Sequence, residues 1–168
     1  MALYQPDRYF ARISNIDIKR DLLDCGLRFV FLDVDNTIRS RENQSIPRDV
    51  AQWMRDAKAA GVTLCLLSNN FHASVRYLGK LLDVPVVAKA MKPLPAGYAV
   101  ALRKMGAHRS DSVVIGDQIS TDIIGARAIG MKAYLVEPLA KYDLAHMRVM
   151  RHVEARMLGD MKPEGGVR

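Results

Sequence analysis

The stretch R-F-V-F-L-D-V-D-N-T, residues 28–37, decides how the rest of the chain is read. Its first half, residues 28–32, is a short apolar run rich in β-favouring side chains and stops at Asp33. A run of this length and composition reads as a strand buried on both faces, as in a parallel sheet. Asp33 and Asp35 then fall just past its carboxyl end, which is where open parallel sheets bind ligands.

Working outward, Ser45, Ile46 and Pro47 open a helix with a capping serine and a proline near the first turn. Val50, Trp53, Met54, Ala57 and Ala60 follow at helical spacing, and Gly61 ends it. Residues 62–67 read as a second strand. Asn69 and Asn70 are placed to cap a helix carrying Val75, Leu78, Leu81 and Leu82 on one face. Residues 86–88 form a short third strand. Pro95 starts a helix with Tyr98, Ala101, Leu102 and Met105 inward and Gly106 as its stop. Residues 112–115 are a fourth strand, 121–129 a short helix stopped by Gly130, and 133–136 a fifth strand closed by Pro138. Strands alternating with helices predict an α/β fold, a five-stranded, mostly parallel Rossmann-like sheet with helices on both faces. Residues 1–168 read as a single domain. Residues 1–27 pack as an N-terminal segment, and 141–158 form a helix with a stripe from Leu144 to Met157. Residues 159–168 form a frayed tail.

The 168 residues suffice for one ordinary domain with a solid core. Hydrophobic residues are 49% and charged residues 26%, which excludes global disorder, collagen and coiled-coil classes. No run reaches the roughly 18 apolar residues of a membrane span. The first ten residues carry Pro6, Asp7 and Arg8 and no apolar core, so no secretory signal is expected and a cytoplasmic location is. Cys25 and Cys65 sit in apolar runs and read as two buried free thiols. The net charge of +7 is concentrated in residues 71–110, which hold seven basic residues and one acid, Asp83. These are Arg76, Lys80, Lys89, Lys92, Arg103, Lys104 and Arg109, a sector suited to an anionic partner or simply a solvated basic face.

The predicted strand ends collect a chemical set. Asp33, Asp35 and Thr37 follow the first strand, Ser68 and Asn69 the second, and Gly116, Asp117, Thr121 and Asp122 the fourth. Lys92 precedes the helix leading to that fourth strand. Paired carboxylates repel unless something positive lies between them. A hard divalent cation held by Asp33 and Asp117, Mg²⁺ by its preference for oxygen, answers that. Asp33 can then attack phosphorus to form an aspartyl-phosphate. Asp35 can protonate the leaving oxygen and later activate water. Thr37 and Ser68 can donate to phosphoryl oxygens, and Lys92 can balance transition-state charge. Taken singly, any of these aspartates is more often a cap or turn residue. His72, His108, His146 and His152 lack metal-ligand spacing with the acids.

F-L-D-V-D-N-T-I resembles the first motif of the haloacid dehalogenase (HAD) superfamily. L-L-S-N-N resembles its second motif, K-P its third and I-G-D-Q-I-S-T-D its acidic fourth. Together with P-D-x-Y-F at residues 6–10, they are similar to the YqeG family of small HAD phosphatases, subclass IIIA, related to phosphatidylglycerophosphate phosphatases. The resemblance covers roughly residues 6–140. It implies Asp33 as nucleophile, Asp35 as acid/base, Ser68 and Asn69 with Thr37 around the phosphate, and Lys92 as charge stabiliser. It also implies metal binding at Asp33, Asp35 and Asp117, with Asp122 as support or occasional ligand.

The gaps between Thr37 and Ser68, and between Asn70 and Lys92, are too short for a cap domain of roughly 50 residues. An open site suits a phosphate carried on something large. The leading expectation is a Mg²⁺-dependent phosphomonoesterase, acting on phosphatidylglycerophosphate or another large phosphorylated substrate. Residues 71–110 would give it peripheral contact with the inner face of an anionic membrane. The alternatives are a soluble phosphatase of small sugar or nucleotide monophosphates, and a phosphate-recognising module on RNA or the ribosome. Apart from Phe71, Tyr77 and Tyr98, the basic sector lacks the aromatic residues that stack bases.

Overall fold

The computed structural model describes residues 2–70, 73–140 and 156–165. Its strands are β1 (Arg8–Phe10), β2 (Phe29–Leu32), β3 (Thr63–Leu67), β4 (Val86–Val87), β5 (Ser112–Gly116) and β6 (Lys132–Val136). Its α-helices are α1 (Arg48–Ala59), α2 (Ala73–Leu82), α3 (Pro95–Met105) and α4 (Ile124–Ala128), the last preceded by a wide helical turn, Ile119–Ile123. All strand pairings are parallel and the order is β1-β6-β5-β2-β3-β4. No helix among the described residues is long and apolar enough to cross a membrane.

The strand side chains alternate between two cores, as a pleated strand requires. Val30, Leu32, Leu64, Leu66, Val113 and Ile115 face α1 and α2, meeting Val50, Trp53, Val75 and Leu78. Phe31, Cys65, Leu67 and Val114 face the other way, onto Tyr98 and Leu102 of α3 and Ala126 of α4. Both faces are thus covered, which explains the unbroken apolar runs in β2, β3 and β5. Trp53 serves as the expected core anchor, and its Nε1 donates to Ile16 O over 2.8 Å.

The sheet has six strands, one more than expected. The additional one is β1, which runs beside β6 with Arg8 opposite Tyr134 and Phe10 opposite Val136. Three residues with a charged first member carry too little apolar pattern to be read as a strand. Within the described residues, the tail expected to be frayed is also tied down. Ala11 N donates to Glu164 O over 2.8 Å and Glu164 N to Tyr9 O over 2.9 Å, laying the tail along the free edge of β1. Arg8 pairs with both Glu164 and the buried Asp21, tying tail, strand and N-terminal segment together. The expected helix over 141–158 lies mostly outside the described residues, of which 156–158 are helical.

Several local expectations change. Pro47, not Ser45, caps α1, and the Ser45 hydroxyl donates to Asn43 Oδ1 instead, over 2.6 Å. Leu81 is 66% exposed, because the buried arc of α2 runs through Val75, Leu78 and Gly79. A Cβ at Gly79 would lie 2.1 Å from Val86 Cγ2, so only glycine lets α2 press this closely on β4. Cys65 is buried, but Cys25 is exposed in the turn after residues 18–23. Gly106 stops α3 as expected, in the left-handed conformation at φ 63°.

Candidate active site

β2 and β5 are neighbours, but the chain leaves β2 for β3 and β4 on one side and returns through β5 to β6 on the other. Their carboxyl ends therefore part company and leave a crevice. Asp33 follows β2, Ser68 follows β3 and Asp117 follows β5. Asp33 N donates to Ile115 O over 2.9 Å, so strand geometry fixes the backbone of the first acid directly.

Lys92 comes from the loop between β4 and α3 and is buried. Its Nζ donates to Asp33 Oδ1 and to Asp122 Oδ1, each over 2.6 Å. Asn69 holds the loop in place: Lys92 N donates to Asn69 Oδ1 over 2.6 Å, and Asn69 Nδ2 donates to Lys92 O over 3.0 Å. Its side-chain amide thus clamps the lysine backbone, a task that the sequence reading did not assign to it. Ser68 is buried, with its Oγ accepting from Asn70 N over 3.1 Å, and its hydroxyl remains the donor available to a phosphoryl group. Thr37 Oγ1 donates to Asp33 Oδ2 over 3.3 Å.

Carboxylate oxygens of Asp33, Asp117 and Asp122 lie within 4.8 Å of one another. Both Asp117 oxygens are buried without a hydrogen-bond partner among the described residues. Asp122 Oδ2 by contrast accepts from Gln118 N over 3.2 Å. Burial pushes the Asp33 carboxyl up to about 6, with Lys92 opposing and Asp122 adding to the rise. Burial, then the charges of Asp33 and Asp122, raise Asp117 well above the ordinary range. Burial works to lower Lys92, but the two carboxylates outweigh it and hold the ammonium charged. The buried carboxylates of Asp117 and Asp122 and the half-buried one of Asp33 against one ammonium, with two oxygens left unpartnered, form a donor set that fits a hard divalent cation. Asp35 stands apart from this cluster: its Oδ1 accepts from Arg39 Nη2 over 2.7 Å.

The parts played by two positions escaped sequence reading. A Cβ at Gly116 would lie 2.3 Å from the Asp122 carboxyl, so glycine there makes room for that acid against the end of β5. Arg39 gave no signal, because one arginine in a polar turn looks like any surface cation. His108 is exposed, and the other three histidines lie outside the described residues. Only α1 and β3 separate Thr37 from Ser68, and only α2 and β4 are described between Asn70 and Lys92, so neither gap holds a cap domain.

The geometry is that of an acid-lined crevice with one buried lysine at the carboxyl edge of a parallel sheet. The family model of the haloacid dehalogenase-like hydrolases matches residues 6–130, and the chain belongs to that family as an enzyme of its phosphatase class. A Bacillus subtilis (strain 168) protein described as "Probable phosphatase YqeG" is 30% identical over 164 residues, 98% of this chain and 95% of that protein. The ribulose-1,5-bisphosphate 5-phosphatase of Halopiger xanaduensis is 24% identical over 111 residues, 61% of this chain and 46% of that enzyme. Among solved structures, a haloacid dehalogenase-like hydrolase from Brucella suis 1330 superposes with TM-score 0.58 at 15% identity, covering 74% of this chain and 88% of that one. The cobalt-bound deoxy-D-mannose-octulosonate 8-phosphate phosphatase of Haemophilus influenzae gives 0.53 at 10% identity, covering 79% and 88%. These two support the fold.

Proposed function

We propose that the chain is a Mg²⁺-dependent phosphomonoester hydrolase that works through an aspartyl-phosphate on Asp33. The observation that carries this is the position of Asp33, held between Lys92 and the carboxylates of Asp117 and Asp122 at the end of β2. Asp33, Asp117 and Asp122 would hold the cation, which neutralises the carboxylates and the phosphoryl group when bound. Asp33 attacks phosphorus as the bond to the leaving oxygen breaks, and Asp35 gives that oxygen its proton. Water then attacks phosphorus, passing a proton to Asp35. The bond to Asp33 breaks, inorganic phosphate leaves, and both carboxyl groups return to their starting states. Lys92 and the hydroxyls of Thr37 and Ser68 stabilise the phosphoryl oxygens throughout.

The substrate class follows from access and surface. The open crevice admits a phosphate on a large carrier, and phosphatidylglycerophosphate is the candidate suggested by the family resemblance. Residues 71–110 support a lipid surface as partner. Arg76, Lys80 and Lys104 line one cleft of about 640 Å³ along β4 together with the exposed Val100. Tyr77, Leu81, Met91 and Leu94 are further exposed apolar residues of the same sector. Cations interspersed with apolar side chains are what an anionic bilayer interface binds.

The test is phosphate release from phosphatidylglycerophosphate in vesicles and from soluble sugar and nucleotide monophosphates, with and without Mg²⁺, for wild type and Asp33→Asn. The reading expects Mg²⁺-dependent release, fastest on the lipid, and none beyond a trace from the variant. Activity retained by Asp33→Asn sinks the mechanism. A clear preference for a sugar or nucleotide phosphate sinks the lipid substrate and leaves the mechanism standing.

A further inference from the structure

We infer that Arg39 is a positioning residue for the reaction: it holds the Asp35 carboxylate where it can meet the leaving-group oxygen. The inference rests on the reading of Asp35 as acid and base. The one turn after β2 pins its two acids to different partners. Asp33 takes Lys92 and Thr37, whereas Asp35 Oδ1 takes Arg39 Nη2 at 2.7 Å.

Arg39 is unusually well fixed for a turn residue. Its N donates to Val34 O over 3.0 Å, and its O accepts from Asn36 N over 2.7 Å. Its side chain is 8% exposed and that of Asp35 19%, so this is not a solvated surface pair. Among the described residues, Asp35 is the only hydrogen-bond partner of the Arg39 side chain, and the Arg39 Nε is buried without one. Burying a guanidinium carries a large desolvation cost. A turn staple alone could be made from Thr, Asn or Asp, which bond the backbone locally at far less cost.

The pair has a chemical consequence. With Nη2 on Oδ1, the carboxyl group is held in one orientation and the other oxygen, Oδ2, is the one left to face the leaving group. Arg39 therefore selects both the direction of the carboxyl group and the oxygen that delivers the proton. An acid must lie within hydrogen-bond reach of the leaving oxygen, and a misplacement of about 1 Å costs roughly 10²-fold.

Leaving-group dependence separates positioning from a general structural role. A 4-nitrophenolate leaves without help, whereas an alkoxide needs the proton. We would compare kcat/KM for 4-nitrophenyl phosphate and n-butyl phosphate in wild type, Arg39→Met, Arg39→Lys and Asp35→Asn. Arg39→Met should lose roughly 10²-fold on the butyl ester and only about threefold on the nitrophenyl ester. Arg39→Lys should recover part of the butyl activity. If Arg39→Met does not fold, Arg39→Gln, neutral but polar, carries the same comparison. Equal losses on both esters, or no loss on the butyl ester, overturn the inference. Where Asp35→Asn discriminates between the esters and the Arg39 variants do not, the inference alone fails. Where Asp35→Asn does not discriminate either, the acid role of Asp35 fails and takes the inference with it.

Discussion

Lys92 Nζ donates to Asp33 Oδ1 over 2.6 Å, although the two residues stand 59 positions apart in the chain. The contact joins the end of β2 to the loop before α3, and in it the Lys92 side chain is buried and that of Asp33 largely so. A second carboxylate, Asp122, shares the same ammonium at the same distance. One buried cation therefore serves both the fold and the proposed chemistry.

Replacing Lys92 by Met should show both roles. Removing one partner of a buried ion pair leaves charge uncompensated and costs about 3–5 kcal/mol. We expect that loss in chemical denaturation of the metal-stripped protein, with a smaller loss once Mg²⁺ is added. Phosphatase kcat should fall by about 10²–10³, the usual effect of deleting a group that stabilises transition-state charge. A Lys92→Met protein within tenfold of wild-type kcat would remove the lysine from the chemistry.

The acids around the proposed cation should differ in a definite order. Asp117 has both oxygens buried and unpartnered among the described residues, whereas Asp122 is already bonded by Lys92 and Gln118 N. Asp117→Ala should therefore raise the Mg²⁺ concentration needed for half-maximal activity more than Asp122→Ala does. Asp117→Asn should in addition stabilise the metal-free chain, because it removes one of three mutually repelling carboxylates. Metal titrations and thermal melts read both effects. A larger metal requirement for Asp122→Ala than for Asp117→Ala would reverse the assignment.

The same repulsion gives metal-free stability a pH dependence of unusual sign. The folded chain raises Asp33 from 3.8 to about 6 and raises Asp117 as well, so it binds their protons more tightly than the unfolded chain. Stability from these groups is then greatest below 3.8 and declines as pH rises through about 6. Asp21 and Asp49 work oppositely. Burial pushes Asp21 up, but Arg20, the Asp17 N–H and Arg8 outweigh it, and Arg12 leads the lowering of Asp49. Their contribution is lost only as pH falls below the ordinary carboxylate range. Between pH 5 and 7.5 the metal-stripped protein should therefore lose Tm as pH rises. Added Mg²⁺ should raise Tm more at 7.5 than at 5, since protons compete with it. An equal or smaller Mg²⁺ shift at 7.5 would contradict the proposed donor set.

How much of this was legible in the sequence depends on the range of the signal. The buried strands β2, β3 and β5 announce themselves because each face packs on a helix, leaving no polar alternation to blur the run. Asp33, Ser68 and Asp117 are legible because each directly follows such a strand, where the sheet itself brings them together. β1 is not legible, since its stability comes from β6 and Glu164 rather than from its own pattern. The clamp made by Asn69 is not legible for the same reason: its short polar side chain suits a helix cap locally, and only the fold reveals that Lys92, 23 positions on, takes both ends of its amide. Gly116 and Arg39 depend on what lies against them, which no spacing rule contains.

Gly116 offers a test of such a position. An added Cβ would stand 2.3 Å from the Asp122 carboxyl, so that side chain must move. Gly116→Ala should push Asp122 off Lys92, lower kcat and weaken Mg²⁺ binding, at about 1–3 kcal/mol of stability. Wild-type kinetics in Gly116→Ala would show that Asp122 needs no fixed position.

The basic sector supplies the last prediction. Arg76, Lys80 and Lys104 share the cleft along β4, and Arg103 is exposed beside Lys104 on α3. The exposed Met91 and Leu94 flank Lys92 in the loop that reaches the crevice, so a surface docked on this sector would sit close to the chemistry. Each Lys or Arg near an anionic bilayer contributes about 1 kcal/mol, screened over a Debye length of ~8–10 Å. Replacing Arg76, Lys80, Arg103 and Lys104 by Gln, with Lys92 kept, should therefore lower partitioning onto anionic vesicles by roughly two to three orders of magnitude at low salt. Moderate salt should weaken wild-type binding in the same direction. The variant should keep its activity on 4-nitrophenyl phosphate, because none of the four side chains bonds to a residue of the acid cluster. Co-sedimentation with phosphatidylglycerol vesicles at two salt concentrations measures the first effect, and a soluble assay the second. If wild-type protein ignores these vesicles at low salt, or the fourfold variant binds them equally well, the lipid surface is not the partner. The cations along β4 would then be no more than a solvated face.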